Sequence, residues 1–118
     1  MEAEVRRVGN VHVVKLQGQL KLGEPVDRLR SAVDGLVNEG FHAIVANMSE
    51  VPMADSSGVG ALVRYQSALR KKGGALKLVQ PSKLVVQTLK ILGLLSVFEC
   101  FDDETAAVES FPEATTTS

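Results

Sequence analysis

The stretch ADSSGVGALV, residues 54–63, combines an aspartate, two serines and two glycines where the sequence predicts the start of a helix. Asp55 and Ser56 are both favoured N-cap residues, because their side-chain oxygens accept hydrogen bonds from the free amides of the first helical turn. A glycine inside a helix costs about 1 kcal/mol relative to alanine. Gly58 and Gly60 therefore indicate that bare backbone is needed in this turn.

Ser57 is the candidate reactive group of this stretch. With Ser56 as the cap, leaning towards the apolar face that contains Val59, Ser57 is turned away from that face by about 100°. Its own face continues at the following helical positions through Gly60, Ala61, Arg64 and Ala68. Because the nearest of these residues are small, the sequence predicts a serine hydroxyl displayed to an approaching protein.

Phosphorylation of Ser57 would change the charge of this surface. A phosphoryl group adds about −1.5 to −2 of charge and three acceptor oxygens, here near the positive end of a helix dipole. The fold would tolerate this charge, whereas a partner fitted to a small neutral surface would be repelled. A second interpretation stays open on spacing alone: the serines only cap the helix, and the glycines only allow tight helix packing.

Motifs for enzymatic or cofactor chemistry do not occur in the sequence. A nucleophile of the G-x-S-x-G type is excluded, because neither Ser56 nor Ser57 has a glycine two residues before it. The segment Gly58–Gly60 matches the start of G-x-G-x-x-G, but the sixth position is Val63, and no phosphate-binding loop ending in Lys-Ser or Lys-Thr occurs. We predict no catalytic residue, no cofactor and no enzymatic activity.

The two histidines and the single cysteine are predicted to be structural. His12 and His42 fall in predicted strands without carboxylates or thiols at metal-binding spacing, so no metal site is predicted. Cys100 lies among aromatic neighbours in SVFECFDD, where we expect a buried and inert thiol. One cysteine cannot form an internal disulfide, which fits a reducing compartment.

The charge of the chain argues against nucleic acid and membrane partners. The formal net charge is −1 with both signs mixed along 118 residues, whereas nucleic acid and anionic membranes attract concentrated basic surfaces. The run Arg70-Lys71-Lys72 is interpreted as complementing the dipole at a helix end. No apolar run reaches the ~18 residues that span a bilayer, and the charged segment Met1–Asn10 does not resemble a signal peptide. We therefore expect a cytoplasmic protein.

Hydrophobic periodicity predicts strands that alternate with helices after an opening hairpin. The predicted strands are Ala3–Val8, Val11–Leu20, Phe41–Met48, Ala75–Val79 and Ser96–Phe98. The predicted helices are Glu24–Asn38, Ser57–Lys72, one that starts at Pro81 and Ser82, and Asp103–Ser110. This order predicts one α/β domain, residues 1–112, with a mixed sheet of four to five strands and about four packed helices. Residues 113–118, EATTTS, are expected to form a disordered tail.

Four segments resemble one known family. MADSSGVGALV, residues 53–63, is similar to the D-S-S-G-(L/V/I)-G signature of the STAS domains, and within them of the bacterial anti-sigma factor antagonists. VVKLQGQLKLGE from Val13 is similar to the family's strand that ends in G-E-L-D. NMSEV from Asn47 is similar to D-L-S-G-V, and GGALKLV from Gly73 matches the next strand. The resemblance extends over roughly residues 4–111 and implies a STAS-type fold.

The resemblance implies a switch in partner choice. In this family an anti-sigma factor, which is a serine kinase of the histidine-kinase-like ATPase fold, holds a sigma factor inactive. The unmodified STAS protein binds that kinase and frees the sigma factor for transcription, phosphorylation of the second serine weakens the complex, and a metal-dependent serine phosphatase reverses it. The second serine here is Ser57. Together, the motif and the helix face of Ser57 predict these partner-binding residues: Asp55, Ser56, Ser57, Gly58, Gly60, Ala61 and Arg64.

Two departures from the family pattern concern the partner rather than the fold. Gln19 and Lys21 stand where many relatives carry acidic residues, and Asn47 stands where aspartate is frequent. The sequence leaves the oligomeric state open. It also leaves open a STAS docking subunit of a stress-signalling complex or of a lipid transporter, and a small enzyme or nucleotide-binding protein.

Overall fold

The computed structural model describes residues 1–112, in which five strands and four helices alternate after an opening hairpin. The strands are β1 (Glu2–Val8), β2 (Val11–Gln17), β3 (Ala43–Glu50), β4 (Ala75–Val79) and β5 (Cys100–Phe101). The helices are α1 (Glu24–Asn38), α2 (Ser56–Lys71), α3 (Lys83–Ile91) and α4 (Glu104–Glu109), with a short 3-10 helix at Leu95–Val97.

The strands form a single mixed sheet in the order β1-β2-β3-β4-β5. β1 and β2 are antiparallel, as Gly9 and Asn10 in a tight turn require, and every later pair is parallel. The predicted α/β fold with a mixed sheet and an N-terminal hairpin is confirmed. Because β2 and β3 are parallel, their carboxyl ends point the same way, and the loops that follow them lie at the same edge of the sheet.

The two faces of the sheet are covered unequally. One face packs against the apolar sides of α1, α2 and α3, and this core contains Leu16, Ile44 and Leu76 from three neighbouring strands. The opposite face carries a smaller cluster in which residues of α4 and the segment after it, Ala107 and Phe111, cover the central strands. β4 is buried on both faces, as expected of a central parallel strand.

Several predicted boundaries differ from the observed ones. β2 ends at Gln17, because Gly18 has φ 114° and turns the chain out of the sheet. β3 starts at Ala43 and runs on to Glu50, so His42 precedes the strand instead of lying in it. The predicted strand Ser96–Phe98 is wrong. That segment contains the 3-10 helix, and the strand follows it at Cys100, because a short apolar run does not distinguish a strand from a turn whose side chains enter the core.

Cys100 is exposed, so the expectation of a buried thiol is wrong. In β5 it pairs with Leu78 at the edge of the sheet. Neighbouring atoms still desolvate the sulfur, and this raises the pKa of the Cys100 thiol above its usual value. A raised pKa leaves less of the reactive thiolate at neutral pH, so the low reactivity of this thiol stays a prediction.

Two further findings are limited to the described residues. No helix within residues 1–112 has both the length and the apolarity needed to cross a bilayer. The same part of the chain contains no group of three His, Cys, Asp or Glu side chains that could hold a metal ion. The predicted disordered tail, 113–118, lies outside the described residues.

Candidate functional site

The candidate site lies at the edge of the sheet where β2 and β3 end and α2 begins. The two loops that follow these strands are joined by backbone hydrogen bonds: Leu20 N–H donates to the Met53 carbonyl at 2.9 Å, and Asp55 N–H donates to the Leu20 carbonyl at 3.1 Å. Leu20 and Ala54 form an isolated parallel bridge. The start of α2 is therefore held rigidly against a loop that is more than 30 residues away in sequence.

Asp55, and not Ser56, caps α2. Its carboxylate accepts a hydrogen bond from the Gly58 N–H at 2.8 Å through Oδ1, and another from the Leu22 N–H at 3.0 Å through Oδ2. These hydrogen bonds, the Gly58 one above all, lower the pKa of Asp55 against the opposing effect of burial. The expectation that Ser56 is the cap is wrong. Ser56 is the first helical residue, and it is exposed.

The two glycines of the motif differ in the space around them. A Cβ on Gly58 would lie 2.8 Å from Leu20 Cγ and closer still to the Leu20 carbonyl oxygen, so only glycine fits between helix and loop. A Cβ on Gly60 would meet only Arg64 Nη1, at 3.7 Å, among the described residues. Tight packing therefore explains Gly58. Packing does not explain Gly60, which leaves the helix surface bare.

Ser57 is partly exposed in the first turn of α2. Along its face Gly60 is partly exposed, and Arg64 and Ala68 are exposed. Ala61, which was predicted to share this outer face, is 1% exposed and packs in the main core. The inclusion of Ala61 among surface residues is thus wrong, because a residue 40° from Ser57 around the helix axis already faces the sheet.

The loop after β2 adds exposed side chains next to the motif. Leu22 is 73% exposed although its backbone is bonded to Asp55. Gln19 and Lys21 are exposed in the same loop, so Lys21 adds a cation beside the motif. Sequence reasoning missed Leu22, because the contact that brings it to Asp55 spans 33 residues.

Asn47 takes no part in this site. Its side chain lies on the α4 face of the sheet, where Nδ2 donates to Glu104 Oε2 at 2.6 Å and Oδ1 accepts from the Ser49 N–H at 2.9 Å. Burial alone would raise the pKa of Glu104, but hydrogen bonds from Asn47 and Arg6 outweigh it and lower that pKa. Asn47, which departs from the family pattern, therefore supplies the donor for a hydrogen bond that the nearby Glu104 carboxylate accepts.

His12 is buried in β2 and packs against the Phe41 ring, with 4.4 Å between ring centroids. Within residues 1–112 its Nδ1 makes no hydrogen bond. Burial, and next the charge of Arg7, lower the pKa of His12, so its neutral form is favoured. It lies at the opposite end of β2 from Ser57 and is not part of the site.

Comparison with known proteins agrees with this geometry. The sequence profile of the STAS domain family matches residues 2–107. The chain belongs to the STAS domain family. A relative from Thermotoga neapolitana, provisionally named an anti-sigma factor antagonist, is 29% identical over 76 residues, which are 64% of this STAS domain chain and 67% of that protein.

Solved structures share the STAS fold at low identity. A provisionally named anti-sigma factor antagonist from Thermotoga maritima has a TM-score of 0.83 at 24% identity, covering 91% of this chain and 92% of that one. The anti-sigma factor antagonist SpoIIAA in its unphosphorylated form has a TM-score of 0.78 at 24% identity, with 92% and 94% covered. SpoIIAA of Bacillus in its phosphorylated form has a TM-score of 0.73 at 23% identity, with 92% and 97% covered.

Proposed function

We propose that this STAS domain is a non-enzymatic anti-sigma factor antagonist that is switched by phosphorylation of Ser57. The unmodified protein binds an anti-sigma factor serine kinase in the cytoplasm and thereby frees a sigma factor. The kinase phosphorylates Ser57 and the complex dissociates, until a serine phosphatase removes the phosphate. The observation that carries this proposal is the partly exposed Ser57 on the first turn of α2, beside a helix surface that Gly60 leaves bare.

The contacts around Ser57 explain why phosphorylation would act on a partner and not on the fold. Both carboxylate oxygens of Asp55 already accept backbone hydrogen bonds, so the helix keeps its cap whether or not Ser57 is modified. The first turn of a helix tolerates added negative charge because of the helix dipole. A partner seated on this turn would instead meet about two negative charges at a surface that it buries.

The relatives support the same proposal. The proteins reported above are named as anti-sigma factor antagonists, and one of them, SpoIIAA, was solved both with and without phosphate. The motif residues Asp55, Ser56, Ser57, Gly58 and Gly60 are assigned to the kinase contact, with Gly58 acting through its packing on Leu20. Arg64 extends that contact along the helix.

Phosphate mapping tests the modification. The protein is used to capture its kinase from the source cell, the pair is incubated with ATP, and phosphate is located by mass spectrometry. We expect phosphate on Ser57 in the wild type and none in Ser57→Ala, while Ser67→Ala, which alters another exposed serine of α2, is modified like the wild type. The proposal would be contradicted if phosphate were found on another residue, or if transporter subunits were captured in place of a kinase. Undiminished binding of the kinase by Ser57→Asp would also contradict it.

A further inference from the structure

An open groove of about 720 Å³ runs between the outer surfaces of α1 and α2. α1 contributes Arg30 and Asp34 to it. α2 contributes Arg64, Tyr65, Lys71 and Lys72. The four cationic side chains are exposed, so their charges lie in solvent along the rim of the groove.

The groove is basic in a chain whose formal net charge is −1. Four cations line it, against one carboxylate among the described residues, that of Asp34. That carboxylate accepts a hydrogen bond from the Tyr65 hydroxyl at 2.9 Å. The pKa of Tyr65 is raised to about 12, first by burial and then by Asp34, so its hydroxyl remains a neutral donor and adds no charge to the groove. With four cations against one carboxylate, the net charge that the groove presents to a ligand is positive.

The groove is continuous with the face of Ser57. Arg64 and Lys71 follow Ser57 by seven and fourteen residues, so all three lie on one side of α2, over a length of roughly 21 Å at 1.5 Å per residue. Arg64 Nη1 is the atom that lies 3.7 Å from where a Gly60 Cβ would stand. The Arg64 guanidinium thus lies between the turn of Ser57 and the rest of the groove.

We propose that this groove is a docking site for an acidic segment of the kinase that contacts Ser57. The inference rests on the proposed function and extends its interface along α2. An extended acidic chain fits the arrangement, because the cations are spread along an open surface instead of converging on an enclosed pocket. Exposed complementary charges of this kind speed association and add salt-dependent affinity.

The same arrangement gives phosphorylation a second effect on binding. A phosphoryl group on Ser57 places about two negative charges on the side of α2 that carries Arg64. It would compete with the acidic segment for the cations at the near end of the groove. Phosphorylation would therefore weaken docking beyond the direct repulsion at Ser57.

Charge reversal tests the groove with a closely matched control. The test pair is Arg30→Glu with Lys71→Glu, one on each wall. The control pair is Arg28→Glu with Arg70→Glu, which makes the same charge change on the same two helices at exposed positions outside the groove. Circular dichroism checks that both variants fold, and a milder pair, Arg30→Gln with Lys71→Gln, serves if the reversal does not. Calorimetry then measures the affinity of each for the captured kinase at low and high salt.

We expect the test pair to bind roughly tenfold more weakly than the wild type at low salt and to lose most of the salt dependence, with the control pair close to the wild type. The docking proposal would be overturned if both pairs weakened binding equally. It would also be overturned if the test pair bound like the wild type while Ser57→Asp still abolished binding. Either result would leave the proposed function intact. A wild type that fails to bind the kinase at all would overturn both. Saturable binding of ATP or GTP in the groove, with kinase affinity unchanged in the test pair, would identify a nucleotide site and overturn the docking proposal.

Discussion

Gly58 and Gly60 are two residues apart, and their substitution by alanine is expected to have opposite effects on stability. Gly60→Ala should raise the free energy of unfolding by up to about 1 kcal/mol, because alanine is the better helix former and space is available. Gly58→Ala should lower it by more than that amount, since the new methyl group would collide with Leu20. Urea denaturation of the two variants measures both changes. A loss of similar size in both would show that Gly60 is also required by packing.

His12 gives the fold a dependence on pH below neutrality. Its pKa is lowered in the folded state by burial and by Arg7, with Glu39 acting weakly in the other direction, so the unfolded chain takes up a proton first. Stability is then complete above the usual pKa of 6.5 and falls as the pH drops below it. The His12→Phe variant should lose this slope below pH 6.5. Thermal unfolding followed across that range measures it, and an unchanged slope would assign it to other groups.

At the scale of elements, the docking of α4 depends on a match between Asn47 and Glu104. Aspartate at position 47 would place a second carboxylate within hydrogen-bonding distance of Glu104, and the like charges would repel. Asn47→Asp should therefore destabilise the fold by about 1 to 3 kcal/mol at neutral pH. The loss should diminish as the pH falls and the pair takes up a proton. Denaturation at several pH values checks this.

A second substitution separates repulsion from a general loss of packing. Adding Glu104→Gln to Asn47→Asp restores an acceptor facing a donor, although it gives up the ion pair between Arg6 and Glu104. The double variant should recover most of the stability at neutral pH. If it is no more stable than Asn47→Asp, charge repulsion is not the cause.

For the molecule as a whole, phosphorylation of Ser57 is expected to leave the fold intact. The Asp55 cap and the backbone bonds between Leu20 and Asp55 do not use the Ser57 hydroxyl. The melting temperature of the phosphorylated protein should therefore stay within about 4 °C of the unmodified form, a change in stability below about 1 kcal/mol. Calorimetry on the two forms, separated by ion exchange, measures the shift. A larger decrease would mean that phosphorylation acts by unfolding the helix start.

Local features of this protein followed from the sequence because neighbours along the chain decide them. The predicted bounds of α1 and β4 match the structure, with Pro25 and Gly40 marking the two ends of α1. Ser57 lies in the first turn of a helix as predicted, and it is partly exposed. The D-S-S-G motif also identified the STAS family. Periodicity, capping preference and turn residues all act over a few positions, so a short stretch of sequence is enough to recognise them.

Contacts between distant segments were decided only by the tertiary structure. The second hydrogen bond that Asp55 accepts as the cap comes from Leu22, in a loop that is distant along the chain. The burial of Ala61 depends on how α2 packs in the core, and the basic groove exists because α1 places Arg30 in the same groove as the cations of α2. Leu22 and Asp55 are 33 residues apart, and Arg30 and Lys71 are 41 residues apart. Local preferences do not encode such contacts, since periodicity, capping and turn chemistry act over only a few positions.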